Sequence, residues 1–257
     1  MTRSRHDTLV FVVAALFLAA AALVASAEAE EVDHQAQYSE CMNLVQTNPE
    51  KAFSKVIAWR DLGGGEAAEH CTATALIGLE IYEHGARRLE VLAETIRADA
   101  AMKAGILSQA SQAWLLAGDA ARAEAAATTA LNLTPDDHAL FVDRAQAKAA
   151  REDYAGAVAD LDRALSIDAN SADAFAFRGS AKRFLGAFGE ARADIEHALT
   201  IEPRHLDALF ERGILRRLAG DTAGARIDWL LVLDIDPQSV AAEGARVNLE
   251  KMDVAPD

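Results

Sequence analysis

The sequence is poor in the residues that usually mark chemistry. Of its 257 residues two are cysteine, five are proline, and aromatics make up only 6%. The two cysteines, Cys41 and Cys71, stand too far apart for a catalytic Cys-x-x-Cys. The seven histidines include no i, i+4 pair, and no cysteine pair joins them in a metal-binding pattern. His70 beside Cys71 is the one adjacent His–Cys, and a metal there would need further ligands. Gly63-Gly64-Gly65 lacks the following Lys-Ser or Lys-Thr of a phosphate loop, so it reads as a flexible link. There is no Gly-x-Ser-x-Gly elbow, and no carboxylate pair stands apart from the acidic background. No catalytic residue, metal or cofactor is expected. Positive charge is also scarce: 25 Lys and Arg stand against 40 Asp and Glu, a net charge of -15. Such a chain repels phosphate backbones, which disfavours nucleic acid as a partner. A basic partner would be attracted, although a solvated acidic surface is the plainer reading.

Apolar residues make up 51% of the chain, and with so few aromatics much of that share is alanine. This suits closely packed helices rather than a β-sandwich core. One long apolar run exists, Leu9 through Val24, preceded by Arg3 and Arg5 and followed by Ala25-Ser26-Ala27. The pattern predicts a signal peptide over residues 1–27 and export, with the periplasm as destination or secretion as the variant. An uncleaved anchor is the alternative, for a run of about 16 residues where a span needs about 20. A short flexible lead, 28–34, is expected to follow.

Between about Ala104 and Ser239 the chain matches itself at a shift of 34 residues. Gly118, Gly186 and Gly220 share a column, with Glu152 in the gap. Pro135, Pro203 and Pro237 share another, and Ala123, Ala157, Ala191 and Ala225 form a third without a break. Each copy reads as helix, tight turn, helix and link: 104–137, 138–171, 172–205 and 206–239. Alanine early in the second helix allows close approach of the first, where Ser111, Ala145, Gly179 and Gly213 are also small. Residues 240–257 are expected to form a polar capping helix from about Val240 to Met252 and a frayed tail. Residues 35–103 carry four weaker helical patterns, read as two divergent hairpins. Their third helix is expected over about Ala67–Glu83, ending at His84-Gly85, and the fourth over Arg88–Ala98.

The order Phe175, Gly179, Gly186, Phe188, Ala191, Ile195, Ala198, Pro203 resembles the tetratricopeptide repeat, as does Leu209, Gly213, Gly220, Ala225, Trp229, Pro237. The resemblance implies an all-α, right-handed solenoid of stacked helix-turn-helix hairpins. It also implies that first helices line a concave face which binds a protein or peptide. By that geometry the inward positions include Val142, Gln146, Ser180, Arg183, Phe210, Ile214 and Arg217. Arginine beside an exposed aromatic would suit a peptide hot spot; packing between repeats is the alternative. Some family members grip a terminal carboxylate with Lys and Asn, but the matching places here hold Val142, Gln146, Asp173, Phe177 and Phe210. His205 reads as an exposed residue between repeats.

Two further pairings follow from the residues themselves. Arg144, Arg178 and Arg212 are spaced by 34, as are Asp160, Asp194 and Asp228, each 16 residues after its arginine. In the preceding copy Ala110 and Ala126 replace both at once, which predicts one Arg–Asp pair clamping each of three hairpins. Unpaired surface charge is the alternative. Cys41 and Cys71, the only cysteines of a chain read as exported, are expected to form a disulfide, with a redox-sensing pair as the alternative. The functional expectation is a non-enzymatic interaction module or scaffold of the cell envelope. A structural subunit that self-associates through its ends, with Trp229 and the cap helix at the interface, is the second reading, so a homo-oligomer stays open.

Overall fold

The computed structural model describes residues 32–254; the expected signal segment, 1–27, lies outside them. The described residues form thirteen helices and no strand. They are α1 His34–Thr47, α2 Pro49–Asp61, α3 Gly65–Gly78, α4 Tyr82–Thr95, α5 Ala100–Leu116, α6 Ala120–Leu133 and α7 His138–Ala150. They continue as α8 Tyr154–Ile167, α9 Ala172–Phe184, α10 Phe188–Ile201, α11 Leu206–Leu218, α12 Thr222–Ile235 and α13 Val240–Val254. Each odd-numbered helix packs on the next as a hairpin, neighbouring hairpins stack, and α13 closes the row. No described helix is long and apolar enough to cross a membrane.

Six aspartates begin helices. Asp33, Asp99, Asp119, Asp137, Asp153 and Asp221 each accept a backbone N–H with the side chain at a helix start. This satisfies a donor that the helix itself leaves free and places negative charge at the positive end of its dipole. Asp33 and His34 therefore belong to the start of α1 rather than to a flexible lead. At the other end α13 runs to Val254, past the expected Met252.

The hairpins are welded by small residues of graded size. Facing positions on first and second helices pair Ser111 with Ala127, Ala145 with Leu161, Gly179 with Ile195 and Gly213 with Trp229, all buried. The smaller the residue on the first helix, the larger its counterpart on the second. A Cβ at Gly179 would come within 2.8 Å of Ile195, and one at Gly213 would collide with the Trp229 ring. Trp229 has no exposed surface, and its Nε1 donates to the Phe210 carbonyl oxygen at 3.1 Å. It is a core residue and is not available to an interface between copies.

The amino-terminal hairpins differ from the sequence expectation. Helix α3 stops at Gly78, and the turn is made by Glu80 in the left-handed region at φ 62°, not by His84-Gly85. Gly85 lies inside α4, where a Cβ would come within 2.5 Å of Ile77 and 2.9 Å of the Ala73 carbonyl oxygen. It occupies the close-approach place of Ala123, five residues after the left-handed turn residue in both hairpins. The turn residues Glu80 and Gly118 are 38 apart, against 34 between Gly118, Glu152, Gly186 and Gly220. The difference goes into α5, which has 17 residues where α7, α9 and α11 have 13. A fixed 34-residue register cannot cross that junction, so Gly85 carries the wrong label when the period is extended backwards.

Candidate functional site

The first-helix face is built over a set of buried charges that clamp the hairpins. Asp160 accepts from Arg144 Nε and Nη2 at 2.8 and 2.7 Å and pairs with Lys148 Nζ at 2.7 Å. Asp194 takes Arg178 at 2.9 and 2.6 Å and Lys182 at 2.9 Å. Asp228 takes Arg212 at 3.0 and 2.8 Å and Arg216 at 2.8 Å. Each buried carboxylate thus faces two cations one helical turn apart. Burial works against the Asp160 charge, and hydrogen bonds from Arg144 and Lys148 outweigh it, holding the carboxyl below its ordinary range. The second cations, Lys148, Lys182 and Arg216, are missing from the sequence expectation of one pair per hairpin, although they too repeat every 34 residues. In the preceding hairpin the three places hold Ala110, Trp114 and Ala126. There Trp114 Nε1 donates to Glu90 at 2.9 Å, with the Arg122 guanidinium 4.5 Å from the ring centroid.

A second row of polar contacts crosses between neighbouring first helices. Tyr38 Oη and His70 Nδ1 are 2.9 Å apart, and His70 Nε2 lies 2.9 Å from Gln109 Oε1. The buried Asp143 accepts from Ser108 Oγ at 2.5 Å and Gln112 Nε2 at 3.2 Å. Glu211 accepts from Ser180 Oγ at 2.7 Å and from Arg183 Nε and Nη2 at 2.7 and 3.0 Å. Gln109, Asp143 and Glu211 lie on one 34-residue column, and its remaining member is Phe177. With no cation beside it, Asp143 is pushed up by burial, which its two hydrogen bonds only partly oppose.

This row changes the reading of the inward positions. Arg183 is no free cation: its guanidinium is fixed to Glu211 of the next repeat and lies 4.1 Å from the Phe184 ring centroid. Val142 is buried in the core of its hairpin. Phe210 is half-buried under the cap helix, where a Cβ at Gly244 would approach it to 2.7 Å. Ile214 is half-buried in the same carboxy-terminal core. Arg217 is exposed and reaches Asn248 at 3.3 Å. His205 is buried, not exposed: it begins α11 by accepting from Ala208 N at 3.2 Å, and its Nε2 meets Asp173 at 3.0 Å. Sequence periodicity marks the face but cannot tell a side chain that crosses to the next repeat from one that points outward.

Gln146 and Ser180 line an opening at the place where the polar row is interrupted. A cavity of about 330 Å³ lies between α7 and α9, with Phe177 in its wall. Leu161 and Tyr154 of α8 form its floor, and Leu115, Ala149 and Phe184 complete it. Tyr154 and Phe184 stack with centroids 4.5 Å apart and planes 2° from parallel. Gln146 and Tyr154 bring an amide and a hydroxyl group to the lining. At the far end of the chain the structure brings Cys41 and Cys71 together, both buried, with Cα atoms 6.3 Å apart, within the span of a disulfide.

These features define an all-α repeat solenoid whose first helices present one continuous face. Residues 172–205 match the family described as tetratricopeptide repeat. No curated protein matches the chain. Among solved structures, TTC0263, a tetratricopeptide-repeat protein of Thermus thermophilus, is similar at TM-score 0.61 and 18% identity. That match covers 73% of this chain and 98% of the other. The Cut9–Hcn1 hetero-tetramer of the APC/C is similar at TM-score 0.60 and 12% identity, over 83% of this chain and 45% of the other. MamA is similar at TM-score 0.50 and 15% identity, over 63% and 92%. The chain thus has the fold of a tetratricopeptide-repeat solenoid, and residues 172–205 carry the family's repeat.

Proposed function

We propose that the protein is a non-enzymatic interaction module of the cell envelope, exported with removal of residues 1–27, with Cys41 and Cys71 bridged. In this reading it binds an extended peptide segment of a partner protein along its first-helix face, anchored in the cavity between α7 and α9. The observation that carries the reading is the break in the polar row at Phe177. In the 34-residue repeats on either side, the seam between neighbouring first helices is closed by Asp143 or Glu211. Here it is open, largely apolar and lined by the stacked Tyr154 and Phe184. A pocket that accepts one apolar side chain, beside amide and hydroxyl groups that can meet a peptide backbone, suits a peptide anchor.

The test places a photo-crosslinker at Gln146 and compares captured partners with those of Ala149→Arg, whose side chain would fill the cavity. Loss of the crosslinked segment in the variant supports the anchor; the same segment captured by both overturns it. Self-association through the carboxy-terminal end is the second reading. It is favoured by Ile227, Leu230 and Val240, which are 64%, 50% and 81% exposed on the last hairpin and cap. Sedimentation at two concentrations separates it from the first: a mass that rises with concentration is its signature.

A further inference from the structure

The change of register at α5 leaves a space that the 34-residue repeats do not have. Helix α3 packs on α1 and α4 but makes little direct contact with α5, which it meets through His70 and Gln109. Between them lies a cavity of about 500 Å³, well within the range of small-molecule sites. Leu92 of α4 and Ile96, the residue that ends it, line the cavity with Ala67, Met102 and Ile106.

The polar groups in this cavity are few and oriented. Gln109 Oε1 accepts only, so the proton of the His70 ring sits on Nε2 and Nδ1 accepts from the Tyr38 hydroxyl. That leaves the Gln109 amide N–H groups and the lone pairs of Tyr38 Oη for a ligand. Glu66 lines the same cavity, its Oε1 held by the Arg97 backbone N–H at 3.1 Å and its other oxygen free. Glu66 is the one lining side chain with a formal charge; neither Lys nor Arg lines the cavity. An anion would meet only a carboxylate there, whereas an ammonium group would meet an aligned one. Cys41 and Cys71 sit one turn after Tyr38 and one residue after His70, so their pairing fixes the helices that carry this wall.

We propose that this cavity is a second binding site, separate from the peptide groove, for a small organic cation with a compact apolar body and one ammonium group. The apolar body lies on Leu92, Ile96 and Ile106, and the ammonium group pairs with Glu66. The site differs in kind from the α7–α9 opening: it has its own charge, and it exists only where the repeat lengthens.

The probes are tryptamine and 2-cyclohexylethylamine, each against the carboxylate of matching shape, indole-3-propionate for tryptamine and 3-cyclohexylpropionate for the other. They are titrated into isotope-labelled protein and followed by the Ile106 methyl and His70 ring signals. At least one amine is expected to saturate these signals and to bind at least tenfold more tightly than its carboxylate. Glu66→Gln is expected to remove that preference. Gly105→Leu is expected to abolish binding with the fold kept, since a Cβ at Gly105 meets nothing within 4 Å and leucine favours the helix. Circular dichroism confirms the helix content of both variants. The proposal is overturned if neither amine perturbs the cavity, if the carboxylates bind equally well, or if Gly105→Leu binds as the parent does.

Discussion

The two ends of the solenoid hold the same kind of hairpin together by different means. From α7 to α12 the fastening is periodic: a small-residue contact and a buried aspartate with two cations, repeated in each hairpin. From α1 to α4 the small-residue contact recurs at Gly85, but each polar or covalent fastening occurs once. Trp59 donates to His34, Tyr38 meets His70, Arg88 pairs with Glu69, and Cys41 faces Cys71. The α5–α6 hairpin stands between the two styles, keeping the small-residue contact and replacing the charges by Ala110, Trp114 and Ala126. A periodic solution lets every hairpin stack on the next at one spacing. Individual solutions let the spacing vary, and the α3–α5 cavity is the result.

The largest expected effect tests whether the charges clamp the carboxy-terminal half. Asp228 is buried between Arg212 and Arg216, so Asp228→Ala leaves two cations facing one another without their counter-charge. A loss of about 3–5 kcal/mol is expected from breaking a buried pair of this kind. Because stacked repeats unfold in part as well as in whole, native-state hydrogen exchange is the measure. Protection should fall in α11–α13 and hold in α1–α4. A loss within about 0.5 kcal/mol would return these residues to the class of ordinary surface charges.

The matching experiment at the other end is Cys41→Ser with Cys71→Ser. Closing a loop across a separation of 30 residues contributes about 3–4 kcal/mol on chain-entropy grounds. Protection should now fall in α1–α3 and hold in α9–α12, the reverse of the first result. Counting free thiols in denatured, unreduced protein comes first: two free thiols would remove the bridge from the comparison.

The periodic half was the legible half, for a physical reason. A repeat that meets only its neighbours must present the same contacts at the same spacing, so Arg144, Arg178 and Arg212 announce their partners by position alone. The second cations, Lys148, Lys182 and Arg216, keep the same spacing, yet the expectation of one pair per hairpin omits them. What periodicity cannot show is direction. Arg183 and Arg217 share a column, yet one is fixed to Glu211 within the stack and the other is exposed. Phe177 looked like one aromatic among several until the residues on its column proved to be the polar closures of the seam. In the amino-terminal half a four-residue lengthening of α5 was enough to hide the turn at Glu80, because glutamate in the left-handed region carries no sequence signature.

One contact should be indifferent to the difference between the halves. Gly85 and Gly213 sit on opposite sides of the same kind of crossing, Gly85 on a second helix against Ile77 and Gly213 on a first helix against Trp229. Gly85→Ala and Gly213→Ala are each expected to destabilise by about 1–3 kcal/mol through overpacking. Similar losses would show that helix crossing is common to both halves and that only the fastenings differ. A loss confined to Gly213→Ala would mean that the amino-terminal hairpins can yield where the repeats cannot.

The smallest effect separates the halves by pH. Burial holds the His70 imidazole below its ordinary value of 6.5. As pH falls below 6.5, the unfolded chain takes up a proton that the native ring still refuses, so stability around α3 and α5 declines until the native value is reached. The loss cannot exceed about 1.4 kcal/mol per pH unit traversed. Asp160 behaves differently: its carboxyl lies below the ordinary 3.8, so its contribution is complete above that value and is lost only as pH falls further. Asp143 has the opposite sign, because burial raises its carboxyl and the native state gains from protonation as pH falls toward 3.8. Between pH 6.5 and about 5 the amino-terminal half should therefore weaken while the clamped hairpins hold. Hydrogen exchange at pH 7 and pH 5, corrected for intrinsic rates, should show lost protection in α1–α4 and none lost in α7–α12. His70→Gln should flatten the response of the first half, since glutamine keeps a hydrogen-bonding side chain and does not titrate. Equal loss in both halves, or a response that survives His70→Gln, would place the pH-sensitive group elsewhere.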